Sequence, residues 1–295
     1  MLMITNMPLR GSRISVVALL LLVFGAVAGC SVNPATGRTQ FNILSTSTEI
    51  NMGLEAKPQV TEQYGGEVKD PALQKYVTGI GMKLASFTEG EGPSYPWSFT
   101  VLDSDVVNAF ALPGGQVFIT RGLLGRLSNE AQLAGVLGHE IGHAVAQHGD
   151  EKISRQLILA GVVAGTAVAT SNSDDKAVKE GVPLLVGAAG QGFLLSYDRS
   201  QELEADMLGV RYMVKAGYNP MGQIQVMKVL ASLSSVRQPE ILSTHPHPEK
   251  RVTKLEKLIH DKYAFTQNNP NYGFYEERFR RSVPAYIFDI KEPGN

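Results

Sequence analysis

Residues 135–151 read GVLGHEIGHAVAQHGDE. His139 and His143, four apart, and the intervening Glu140 interrupt a run of Ala, Val, Leu, Ile and Gly. Apolar residues of that kind belong in a core, whereas imidazoles and a carboxylate are costly to bury unless something satisfies them. On a helix, positions i and i+4 share one face with Cβ atoms roughly 5–6 Å apart, so both imidazoles can reach one ion. Glu140 is rotated by about 100° from His139 and can lean over that ion without ligating it. This spacing suits two histidines holding zinc at Zn–N distances of about 2.0–2.1 Å, with the glutamate polarising a bound water. A core helix with two hydrogen-bonded histidines is the competing reading of this stretch alone.

A second stretch, SYDRSQELEADMLGVRYMVKAGYNP (196–220), weighs against that alternative. Glu202 and Asp206 are again four apart on one face of an expected helix, followed by apolar Met207, Leu208, Val210 and Met213. Hydrolytic zinc has three protein ligands and one open position, and Glu202 would complete a two-histidine, one-glutamate set. Asp206, one turn on, can accept the remaining N–H of a ligating histidine and fix its tautomer. Taken alone, Glu202, Glu204 and Asp206 would read as a solvated acidic face. We therefore expect one Zn²⁺ per chain, with His139, His143 and Glu202 as ligands and Glu140 as catalytic base.

Around these two helices the pattern is a mostly helical α+β protein. The 295 residues suffice for a large core, and 43% hydrophobic and 19% charged content at net charge −1 is ordinary for a globular chain. No basic excess points to nucleic acid as a partner. Helices are expected from Ser47 to Val60, from Pro71 to Ala85 behind an Asp70-Pro71 cap, and from about Asn129 to His148. Further helices are expected over Ser200–Ala216, Met221–Leu233 and Glu249–Lys262. WSFTVL (97–102) and QVFIT (116–120) change to a period of two and read as strands joined by DSDVVNAFALPGG. Two Gly- and Ala-rich apolar stretches, 157–170 and 182–195, are short for membrane spans and suit a packed helical hairpin.

The N-terminus is a targeting segment. Arg10 and Arg13 precede the apolar run from Ile14 to Val27, which ends in Val27-Ala28-Gly29-Cys30. That pattern resembles a bacterial lipobox, with Cys30 as the residue that receives lipid; an ordinary signal peptide with a chance cysteine is the alternative. Cys30 is the only cysteine, which excludes a disulfide within the chain. The expected organisation is a lipoprotein signal peptide over 1–29 and an extended leader over 30–46. A metallopeptidase domain over 47–262 and an irregular aromatic extension over 263–295 would follow.

HEIGH followed by ELEAD resembles the gluzincin peptidases of metallopeptidase family forty-eight, in their soluble, lipoprotein branch. The similarity extends to VNPATGRTQF, NAFALPGGQVFITRGLL (108–124), GQGFLLSYDRSQELEAD and THPHPEKR (244–251). It implies a zincin-like domain with a small sheet edge above the His-Glu-x-x-His helix, and the same ligand set. It puts Asp206 at the position named as proton donor, where chemistry favours an orienting carboxylate. An edge strand would pair with extended substrate; Asn108, Ala109, Phe110 and Ala111, with Val117 to Thr120, are the candidates, although a plain supporting hairpin fits them too. His245 falls near the metal by resemblance, as an oxyanion stabiliser or a fourth ligand, against a surface-loop histidine on sequence alone. Arg251 would neutralise a carboxylate or a substrate carbonyl. His148, His247 and His260 receive no role. The membrane-embedded members carry clear spans, and other members add a C-terminal repeat domain that this chain is not expected to have.

The function expected is a periplasm-facing zinc endopeptidase, anchored in the bilayer through Cys30. Ser31 points toward the outer membrane. Expected partners are misfolded or stalled envelope polypeptides, including outer-membrane β-barrel proteins or their assembly machinery. The competing expectation is a chaperone or assembly factor with little proteolysis.

Overall fold

A computed structural model describes residues 30–156, 158, 197–234, 239–245 and 248–289. The expected signal peptide and the two apolar stretches, Ile158 aside, lie outside the described residues, as does His247.

Asp70 accepts the N–H groups of Ala72 and Leu73 and opens α2 (Pro71–Ala85), while Ser45 caps α1 (Thr46–Gln63). The apolar stripe of α2, Leu73, Val77, Ile80 and Leu84, is buried against β3 (Ser98–Leu102) and the core helix. Strands β4 (Ala109–Leu112) and β5 (Gln116–Thr120) form a hairpin whose turn, Pro113-Gly114-Gly115, packs on α1. The carbonyl oxygen of Pro113 lies 1.9 Å from where a Cβ on Gly53 would sit, so only glycine admits the turn there. The sheet order is β3–β5–β4, with β3 parallel and β4 antiparallel to β5. The connection between the two expected strands thus contributes a strand of its own, and β5 is central. This corrects the expectation for Val117 to Thr120. Both edges of that strand are already paired, so of the two expected edge segments only β4 lies at the rim of the sheet.

After the short α3 (Arg121–Leu124) comes α4 (Glu130–Val145), buried along its whole length. Asn129 caps it by accepting the Gln132 N–H. The sheet and α2 lie on one side of α4, with α5 (Arg199–Lys215) and α6 (Met221–Ser234) on the other. Short α7 (Ile241–Thr244) and α8 (Pro248–Lys262) follow, α8 covering α6. Among the described residues, no helix is long and apolar enough to cross a membrane.

Two segments differ from expectation. The stretch after Cys30 is a hairpin, β1 (Cys30–Val32) with β2 (Thr39–Phe41), rather than a free extended leader. Asn33 and Gln40 donate side-chain N–H groups to the Val145 and Ala146 carbonyls, which the end of α4 leaves unpaired. The C-terminal stretch is not irregular throughout. It carries α9 (Glu276–Ser282), and Phe279, Val283 and Ile287, spaced by four, enter the main core.

Candidate metal centre

Small residues bring the two motif helices together. A Cβ on Gly142 would lie 2.6 Å from the Ala205 carbonyl oxygen, and one on Gly138 would lie 3.3 Å from the Gly209 Cα. The residue just before each histidine of the pair is therefore a glycine, because the backbone of α5 passes there. Asp198 and Gln201 form a reciprocal cap at the start of α5, which sets Glu202 one turn inside it.

Glu202 consequently faces the histidines. His139 Nε2 and His143 Nε2 are 3.1 Å apart, and Glu202 Oε1 is 3.3 Å from His143 Nε2. Glu202 Oε2 is 3.6 Å from His139 Nε2, and His245 Nδ1 is 3.2 Å from the same nitrogen. Four ligand atoms at tetrahedral zinc distances would stand roughly 3.3 Å from one another. The separations match, all four groups are buried, and their ligand atoms lie within 4.8 Å of one another. The donor chemistry fits as well: two imidazole nitrogens and a carboxylate are a zinc set. Glu140 Oε1, 3.7 Å from His245 Nε2, is buried with no hydrogen-bond partner among the described residues. An orphan acceptor beside such a cluster suits a base awaiting a proton.

Each histidine is oriented from behind. His139 Nδ1 lies 2.8 Å from Asp206 Oδ1, and Asp206 also receives Arg251 and the Gln223 amide. Its geometry is that of an orienting carboxylate. His143 stacks on Tyr197, ring centroids 3.9 Å apart, and its Nδ1 meets His148 Nδ1 at 2.9 Å. Neither Tyr197 nor His148 stood out in the sequence; the only signal for Tyr197 was an aromatic residue just before the α5 cap.

Burial pushes the His143 imidazole well below its usual value, keeping it neutral as a ligand must be. Burial would raise both carboxyls, yet His245, His143 and Arg251 hold Glu202 far below the ordinary carboxylate range. Arg251 and His139 hold Asp206 down in the same way. At His245 burial is outweighed by Glu202 and Glu140, so its value rises. Arg251, 2.5 Å from Glu202 and 2.6 Å from Asp206, is the fixed cation of the pocket.

Two cavities flank the cluster. One is bounded by Ala111, Leu112 and Pro113 at the end of β4 and by His143 and Tyr197. The other opens beside His139, Glu140 and His245 and is walled by Val136, Val226, Met227, Leu230 and Ile241. Of the expected substrate-edge residues, Asn108, Ala109 and Phe110 are buried and Ala111 is half-buried. The Asn108 amide donates to Glu240 and Tyr64, which fixes the start of β4 rather than facing a guest. Cys30 begins β1. His260 is exposed and far from this cluster in its contacts, pairing with Asp261.

An α+β domain with this helix pair and two-histidine, one-glutamate set has the architecture of a zincin-like metallopeptidase. The chain belongs to peptidase family M48, whose family description matches residues 71–259. It is 30% identical over 231 residues to the beta-barrel assembly-enhancing protease of Escherichia coli (strain K12), covering 74% of this chain and 45% of that protein. It is 35% identical over 215 residues to the mitochondrial metalloendopeptidase OMA1 of Arabidopsis thaliana, covering 69% and 40%. Against the metalloendopeptidase OMA1 of Bos taurus it is 31% identical over 285 residues, covering 90% and 53%. The chain thus spans about half the length of the curated relatives it matches. Zinc is the cofactor of this family, and the buried group of four donors is able to bind it.

Proposed function

We propose that the chain is a zinc metalloendopeptidase of the bacterial envelope, anchored by lipid on Cys30, facing the periplasm and probing misfolded or stalled envelope proteins. The observation that carries the catalytic part is Glu140. It is a buried carboxylate with one oxygen unpaired among the described residues, adjacent in sequence to one histidine of the cluster and on the wall of the apolar cavity.

His139, His143 and Glu202 would hold the ion; bound there, zinc supplies Lewis acidity. Glu140 takes the proton of the attacking water and passes it to the leaving amine. Asp206, clamped by Arg251, keeps the His139 proton on Nδ1 and its lone pair on Nε2. His245 stands among the ligands, so the geometry is that of a closed site, and it must withdraw before a water and a scissile carbonyl can enter. The free edge of β4 offers backbone pairing to an extended chain, which favours unfolded substrates with little sequence preference. The cavity walled by Val136, Val226 and Met227 would take an apolar side chain beside the scissile bond.

The test is Glu140→Gln. Cleavage of an unfolded polypeptide should fall about 10²–10⁴-fold while zinc content stays at one per chain. Retained cleavage would remove Glu140 from the chemistry, and full rescue of a deletion strain would favour the chaperone reading instead. Proteins trapped on this variant in cells should be envelope proteins, with outer-membrane β-barrels prominent. A trapped set of cytoplasmic proteins would overturn the substrate class, and failure of Cys30 to incorporate labelled lipid would overturn the anchor.

A further inference from the structure

We propose that His148, Glu204 and Arg38 form a hydrogen-bond relay that positions His143 for its metal, making the N-terminal hairpin a working part of the metal centre. The inference rests on the reading of His143 as a ligand and adds residues to which neither motif points.

The direction of every link follows from the one before it. His143 turns Nε2 toward His139 and Glu202, and as a metal ligand it would hold its lone pair there and its proton on Nδ1. That Nδ1–H faces His148 Nδ1 at 2.9 Å, and both side chains are buried. Two neutral imidazole nitrogens at that distance need one donor and one acceptor, so His148 accepts at Nδ1 and carries its own proton on Nε2. His148 Nε2 then donates to Glu204 Oε2 at 2.8 Å. Glu204 also accepts from Arg38 Nε at 3.3 Å. The other two Arg38 nitrogens donate to Glu151 at 3.2 and 2.8 Å, so one guanidinium ties α5 to the helical turn that carries His148.

Arg38 lies in the β1–β2 hairpin, and that hairpin is itself fastened. Asn33 Nδ2 donates to the Val145 carbonyl at 2.9 Å, and the backbone N–H of Ile43, just beyond β2, reaches Ser154 Oγ at 3.0 Å. On its Nδ1 side His139 meets a carboxylate directly, in Asp206, whereas the Nδ1 side of His143 reaches one through a second imidazole. Groups behind a ligating histidine fix its tautomer and orientation, and their loss typically weakens metal binding about 10–100-fold. His148 is a positioning residue in this sense, and the hairpin holds the far end of its chain.

The experiment measures zinc affinity by chelator competition on the full chain, with the visible spectrum of the cobalt-substituted protein as a second readout. His148→Leu removes both hydrogen bonds and should weaken zinc about 10–100-fold. His148→Gln keeps one acceptor for His143 and one donor for Glu204, and should retain affinity within about 3-fold. Arg38→Ala, on a side chain that is 37% exposed, leaves the core intact and decides the matter should His148→Leu fail to fold. It should weaken zinc about 3–10-fold, with no further loss on adding Glu204→Gln, because the two act through one link. Zinc binding by His148→Leu within about 2-fold of the unmutated chain, or losses from Arg38→Ala and Glu204→Gln that simply add, would overturn the relay. An unmutated chain that takes up no zinc would sink the metal reading itself, which is a separate outcome.

Discussion

Glu202 and Asp206, beside the histidines of α4, and Glu49 and Asp150, near its C-terminal end, are two pairs of buried carboxyl groups. Burial acts on both pairs in the same direction, toward protonation. The first pair faces Arg251 and three histidines, and both of its members lie below their ordinary values. What raises the second is burial together with neighbouring acids. Glu49 accepts from the Tyr95 hydroxyl at 2.7 Å and the Gly114 N–H at 3.2 Å, whereas both oxygens of Asp150 lack a donor among the described residues. Burial, with the Glu91 charge nearby, carries Glu49 from 4.5 to about 7 despite those bonds. Burial and the neighbouring Glu49 carry Asp150 from 3.8 to about 8. A proton shared between the two acids would supply the donor that Asp150 lacks. What surrounds the carboxyls, rather than depth, decides which pair stays ionised.

The strongest way to break this contrast is Arg251→Leu, which strips the first pair of its fixed cation. In the metal-free protein, urea denaturation should show a loss of about 3–5 kcal/mol. With zinc the loss should shrink, because a dication then compensates the same acids. A metal-free loss below about 1 kcal/mol would mean the histidines alone hold them. Next in size is chelation. Free zinc at about 100 times its Kd is worth about 2.7 kcal/mol, so the chelated protein should melt lower, and a Tm unmoved by chelator would count against the site.

The second pair predicts a pH dependence of opposite sign to the first. Raised carboxyl values give stability that is fully present below about pH 4 and is lost as pH climbs through 7 to 8. The depressed values of Glu202 and Asp206 give stability present above their unfolded values and lost as pH falls below them. Asp150→Asn should therefore flatten the alkaline limb of a Tm–pH curve, worth roughly 1–3 kcal/mol, and leave the acid limb in place. A variant curve parallel to the unmutated one would show that the pair shares no proton. The smallest effect belongs to Tyr95→Phe. Losing one hydrogen bond to Glu49 should cost about 1 kcal/mol and move the alkaline transition to higher pH.

The metal centre was legible where it is local. His139, Glu140 and His143 share one helical turn, as do Glu202 and Asp206, and i,i+4 spacing carries that information directly. Two helix starts were legible for the same reason, since Asp70 and Asn129 cap within three residues. His148 was not, because it lies off the histidine face. Gln147 leaves α4 with a positive φ of 54°, and that break turns His148 back toward the ligand it would otherwise pass. The sheet order was hidden as well. The parallel pairing of β3 with β5 joins segments separated by β4, and alternation within a strand does not name its neighbour. The spacing of Phe279, Val283 and Ile287 was readable, but the core they join is built from residues far away in the chain.

The hairpin beginning at Cys30 has a mechanical consequence. It is stitched to the end of α4 by Asn33 and Gln40 from the first strand onward. Acyl chains on Cys30 would therefore pull on a rigid fitting instead of a slack rope. The molecule would ride the bilayer like a keel, at one attitude and one height. Its search for loose polypeptide would be confined to the thin layer of water next to the lipid.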